Sequence, residues 1–150
     1  MEVQPDFKEF LKLLNENKAE YLIVGSYALA FHGSPRYTGD MDIYVKPEPG
    51  NAGKIMAVLG KFGFSSVEIS AMDFSGEDKI VQLGVPPVRI DLMTSLTGVS
   101  WEEAFSGSVS GFYDDIQVRF IGREELIKNK KAVGRKKDLA DIESIDPKGS

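Results

Sequence analysis

Asp40 and Asp42 stand either side of a single methionine in the run Gly39-Asp40-Met41-Asp42-Ile43-Tyr44-Val45. On a strand, alternate side chains point the same way, so the two carboxylates share a face while Met41 and Ile43 turn to the core. Like charges so placed repel, and a divalent cation between them would offset the repulsion. A third carboxylate, Asp91, lies between Ile90 and Leu92 in Val88-Arg89-Ile90-Asp91-Leu92-Met93-Thr94, again on a predicted strand. Three carboxylates from two adjacent strands can hold two metal ions, which activate an attacking oxygen and stabilise a leaving oxygen in an in-line phosphoryl displacement. Taken singly, each has a plainer reading: Asp40 after Gly39 as a turn former, Asp91 as a strand-end cap. As an ordered set the three point to a magnesium or manganese site.

Gly25-Ser26 follows a predicted strand and opens a helix. Free backbone N–H groups there would bind an anion, and glycine lets a phosphate approach the backbone closely. An ordinary N-cap serine is the alternative. Arg36 and Thr38 sit in the loop just ahead of Asp40 and are candidates for triphosphate contacts. Lys128, Lys130, Lys131, Arg135, Lys136 and Lys137 fall within residues 128–137 with no acid among them, in a chain of net charge −5. The segment reads either as a solvated helix face or as a phosphate-binding surface. The acidity of the remaining chain would repel a polyanion such as RNA.

The elements that must hold these groups are legible in outline. Phe7, Phe10, Leu11 and Leu14 have helical spacing over 6–17, with Asp6 as N-cap. Strands are expected at 20–24, 40–45, 65–69, 79–84, 88–93 and 116–121, the 79–84 and 88–93 pair antiparallel across Pro86-Pro87. Helices are expected at 26–32, at 51–62 capped by Asn51, at 100–105 with a Ser100/Glu103 capping box, and at 123–132 and 135–145 around Gly134. His32, the only histidine, reads as a polar cap ending the second helix rather than as a catalytic group. Trp101, Phe62, Phe64, Phe105 and Phe112 read as core or anchoring aromatics, and Tyr27 and Tyr44 as flanking the cleft. The pattern is one compact α/β (α+β) domain over 1–150, a mixed β-sheet flanked by helices, with a loose tail at about 146–150.

With 150 residues and 42% hydrophobic residues the chain can bury an ordinary core. It has no cysteine and one histidine, which excludes a disulfide framework and a usual structural zinc site. The cysteine count fits a cytoplasmic location. The acidic N-terminal stretch is not a signal peptide, and no apolar run approaches a membrane span.

The ordered set Val24-Gly25-Ser26, thirteen residues, then Asp40-Met41-Asp42-Ile43, with Asp91 later, resembles the signature of the nucleotidyltransferase superfamily, the DNA polymerase β-like fold. More narrowly, residues 25–43 and the C-terminal run LIKNKKAVGRKKDLADI resemble the AbiEii-type branch, which includes toxins of toxin–antitoxin systems. The likeness implies binding of a nucleoside triphosphate, ATP among them, with Mg2+ or Mn2+, and transfer of its nucleotidyl group. It assigns Gly25 and Ser26 to the β- and γ-phosphates, Asp40 and Asp42 to both metals, and Asp91 to deprotonating the acceptor hydroxyl. Arg36, Thr38, Lys128, Lys131, Arg135 and Lys137 become candidate phosphate ligands. Asp138 and Asp141 are expected to organise the basic helix by pairing with it. The acceptor could be an RNA 3′ end, a protein or a small molecule, and a protein partner of antitoxin type would fit the branch. A nucleotide-binding regulatory protein with little turnover and a magnesium-dependent phosphohydrolase are the alternatives.

Overall fold

The computed structural model describes residues 3–34, 39–64, 68–85 and 88–146. The elements run α1 (Pro5–Glu16), β1 (Tyr21–Val24), α2 (Gly25–Phe31), β2 (Asp40–Val45), α3 (Pro49–Phe62), α4 (Met72–Ser75), β3 (Ile80–Val85), β4 (Val88–Met93), α5 (Trp101–Ser106), β5 (Val109–Tyr113), β6 (Ile116–Phe120), α6 (Arg123–Val133) and α7 (Lys136–Ile145). The strands form one mixed sheet in the order β3-β4-β2-β1-β6-β5. β1 is antiparallel to β2, and β2 is parallel to β4. Hairpins β3–β4 and β5–β6 close the two sides.

The apolar stripe of α1 is fully buried at Phe7, Phe10, Leu11 and Leu14. Each such side chain removed from water contributes about 1.5–3 kcal/mol. Phe10 meets Phe62 of α3 edge-on, and Phe7 meets Tyr27 of α2, so the three helices share one layer. On the opposite side of β2, Tyr44 packs edge-on against Trp101 of α5.

Several local expectations need correction. The N-cap of α1 is Gln4, because Pro5 supplies a preset φ and no N–H at the first helical position. Proline shifts the start of α3 in the same way: Glu48 is its N-cap and Pro49 opens the helix. Asn51 therefore lies inside α3. Its buried amide accepts from the Glu20 N–H at 2.8 Å and donates to the Glu20 and Lys46 carbonyls at 3.0 and 3.2 Å. Of the strand expected at 65–69, residues 65–67 lie outside the described residues, and 68–69 are not in a strand. Strand β5 was not expected, because Ser110 and Gly111 interrupt its apolar pattern. Gly111 is required there: the stacked rings of Phe31 and Phe120 lie over it, and a Cβ would come within 2.6 Å of Phe31 and 2.9 Å of Phe120. Phe112, alternating with buried Tyr113 on this edge strand, is 65% exposed and not core, and Phe105 is also partly exposed. Asp146, expected in a loose tail, is buried and paired with Arg123 at 2.9 Å; residues 147–150 lie outside the described residues. The Ser100/Glu103 capping box forms as expected.

Candidate active site

β2 and β4 build the site by their alternation. Met41, Ile43, Ile90 and Leu92 are buried, which leaves Asp40, Asp42, Arg89 and Asp91 on the other face. The parallel register sets Asp40 opposite Arg89 and Asp42 opposite Asp91. Tyr44, opposite Met93, continues this face and is covered by Trp101, so α5 closes one end of the row. At the other end the Asp40 and Arg89 side chains stay partly open to solvent.

Arg89 was not anticipated, although its place two residues before Asp91 already put it on the same face. Its Nε and one terminal nitrogen donate to the two Asp91 oxygens, each at 3.1 Å. The same terminal nitrogen lies 2.8 Å from Asp40 Oδ2. One guanidinium therefore joins both acids, and the Asp91 hydrogen bond raises its pKa further.

Asp42 is different. Among the described residues no hydrogen bond or ion pair reaches its carboxylate. Burial, and then the charges of Asp91 and Asp40, push its pKa up to about 6, against the pull of Arg89 and Lys130. Above it sits the β1–α2 turn, because Val24 pairs with Asp42 and Gly25 follows at φ 65°. A Cβ at Gly25 would collide with the Asp42 carboxylate, so both the backbone conformation and the space require glycine. Ser26 lies inside α2 and is not its N-cap, a place taken by Val24. Its half-buried hydroxyl has no partner among the described residues.

The donors Asp40, Asp42 and Asp91 are oxygen-only, the chemistry magnesium and manganese take. Their arrangement does not make a ligand set: Asp40 and Asp91 are turned onto Arg89. Among the described residues no group of three or more His, Cys, Asp or Glu side chains is disposed to hold a metal ion.

The basic segment divides. Lys128 is paired with Glu103 of α5. Arg135 is pinned by Asp138, three residues on in its own helix, at 2.7 Å and 3.2 Å. Lys131 and Lys137 are exposed. Arg36 and Thr38 lie outside the described residues. The cation of this segment that acts on the acids is one not singled out, Lys130, whose charge reaches Asp42. Its signal was its place four residues after Leu126 and three after Ile127, on the buried side of α6. Lys130 is held by Asp141 at 3.0 Å and Asp138 at 3.4 Å, both fully buried on α7. Asp138 and Asp141 thus organise α6 by pairing with it. His32 ends α2, where its Nε2 lies 2.7 Å from the Ile121 carbonyl. Tyr27 is core, wedged between Phe7 and Tyr113, and Tyr44 is buried.

Solved structures share this fold. The fold is that of the nucleotidyltransferases. TM1012 of Thermotoga maritima, whose own nucleotidyltransferase assignment is provisional, superposes with a TM-score of 0.64 at 15% identity over 93% of this chain and 91% of that one. The lincosamide antibiotic adenylyltransferase LnuA, bound to lincomycin, gives 0.56 at 13% identity over 97% and 98%. The antibiotic-resistance factor ANT(2'')-Ia gives 0.57 at 15% identity over 93% and 78%. No family model matches the sequence, and no curated protein matches it. At these identities the nucleotidyltransferase fold carries the likeness, and the AbiEii branch gains nothing from it. Among the described residues no helix is long and apolar enough to cross a membrane.

Proposed function

We propose that the chain transfers a nucleotidyl group from a nucleoside triphosphate to a hydroxyl acceptor. The observation that carries this reading is the meeting of Asp40, Asp42 and Asp91 on one sheet face directly under the Gly25-Ser26 turn. The acceptor oxygen attacks the α-phosphorus, its bond to the β-phosphate oxygen breaks, and pyrophosphate leaves. Asp91 takes the acceptor's proton. The Gly25 turn and the Ser26 hydroxyl bind the phosphates, and Lys130, locked between Asp138 and Asp141, adds positive potential at Asp42. Lys131, Lys137, Arg36 and Thr38 remain candidates for the outer phosphates. Lys128 and Arg135 would first have to leave Glu103 and Asp138. Magnesium or manganese, implied by the resemblance and assigned to Asp40, Asp42 and Asp91, would supply charge neutralisation.

LnuA is an adenylyltransferase of a lincosamide antibiotic, which favours a small hydroxylated molecule over an RNA end or a protein as acceptor here. The second reading is a nucleotide-binding regulatory or toxin–antitoxin component with little turnover. The pairing of two of the three acids with Arg89 favours it.

The test is incubation with α-labelled triphosphates, Mg2+ or Mn2+, and separate pools of RNA, protein and small hydroxylated compounds. Label moving to an acceptor, and lost in Asp42→Ala, is the expected result. Triphosphate binding without transfer selects the regulatory reading. Release of labelled nucleotide to water alone selects hydrolysis.

A further inference from the structure

The disagreement between the acids' chemistry and their arrangement has one residue at its centre. A single Arg89 nitrogen touches Asp40 at 2.8 Å and Asp91 at 3.1 Å, the place from which an ion bridging those two acids would have to bind them. We propose that Arg89 is the built-in counter-ion of the Asp40–Asp91 pair, and that a divalent cation enters by taking its place on Asp40. This inference rests on the metal role proposed for the three acids.

Three features support an exchange rather than a fixed salt bridge. The contact is made by a long side chain whose outer end is solvated, with Arg89 29% and Asp40 35% exposed. Such pairs hold weakly compared with sealed ones. Asp42 stands beside the pair with no hydrogen bond or ion pair among the described residues, so three acids face one guanidinium and the cluster attracts a second cation. Magnesium–oxygen bonds are about 2.0–2.1 Å, well inside the nitrogen contacts, so the acids must draw together around an ion, which the guanidinium prevents while it sits between them. Once displaced from Asp40, the guanidinium remains tethered one strand away by its two bonds to Asp91. Arg89 thereby acts as a positioning residue: it keeps Asp40 and Asp91 apart and neutralised until a cation arrives.

The full chain, stripped of metal, is titrated with Mn2+ and the free ion is followed by electron paramagnetic resonance. Melting temperatures are measured in chelator and in Mn2+. Arg89→Gln is expected to bind Mn2+ about tenfold more tightly than the wild type, to melt lower in chelator, and to gain more from Mn2+. Arg89→Lys, which keeps the charge but not the fork, falls between and serves if the glutamine variant does not fold. Mn2+ affinity that is equal or weaker in both variants overturns the exchange while leaving the metal role intact. Absence of Mn2+ binding in wild type and variants alike overturns the metal role itself, and this inference with it.

Discussion

Two clusters in this molecule are made of the same parts and behave differently. On the β2–β4 face Arg89 joins Asp40 and Asp91; between α6 and α7 Lys130 joins Asp138 and Asp141. In the helical cluster both acids are about 1% exposed and the lysine 12%, and no acid of the pair points to open solvent. On the sheet the cation and Asp40 are partly solvated, and an additional acid, Asp42, has no ion pair among the described residues. A cation between two sealed acids is part of the framework. A cation between one sealed acid and one half-open acid can be exchanged at the open one.

Lys130→Met should show the largest effect. It removes the cation shared by two buried carboxylates, of which Asp138 keeps Arg135, a loss of about 3 kcal/mol read by urea unfolding. The Arg89→Gln change on the sheet should cost less, about 1–2 kcal/mol, because Asp40 is partly solvated while Asp91 is sealed. Equal losses in the two variants would erase the distinction between framework and exchangeable cation.

Asp42→Asn sharpens the contrast through pH. The Asp42 carboxyl rises from 3.8 to about 6 on folding, so the folded chain holds that proton more tightly than the unfolded one. Stability therefore falls as pH climbs through this window, and the deficit above it reaches up to about 3 kcal/mol. In chelator, the asparagine variant should be more stable than the wild type near pH 8 and gain nothing near pH 4. A pH-independent difference would show that Asp42 is not strained by its neighbours.

Gly25→Ala should destabilise by about 1–3 kcal/mol and abolish transfer, since alanine meets both the positive φ and the Asp42 carboxylate. Calorimetric melting and the label assay check the two parts. Lys128→Ala, which breaks only the exposed pair with Glu103, should change stability by less than about 0.5 kcal/mol.

The acid row was legible because strand alternation is short-range: Asp-Met-Asp and Ile-Asp-Leu each declare which side chains go inward. The parallel register that sets Asp42 beside Asp91 depends on β3 and α3 folding between them, and no local pattern states it. Arg89 was visible by spacing but has meaning only once Asp40 arrives from another strand. Lys130 was obscured by five other basic residues in the same segment. What separates it is the packing of α6 against α7, which turns that one lysine inward. β5 stayed hidden because the glycine that weakens its pattern is demanded by two aromatic rings on other elements, Phe31 of α2 and Phe120 of β6.

The buried Asn51 amide joins the residue before β1 to the residue after β2, at the end of this strand pair away from the acids. Antiparallel strands can err by a single step, and a step here would turn Asp40 and Asp42 into the apolar layer and bring Met41 and Ile43 out. An amide that fits three backbone groups at once tolerates no such error. Asn51 is thus an indexing pin: without touching the active face, it guards the count that decides which side of the sheet carries the charge.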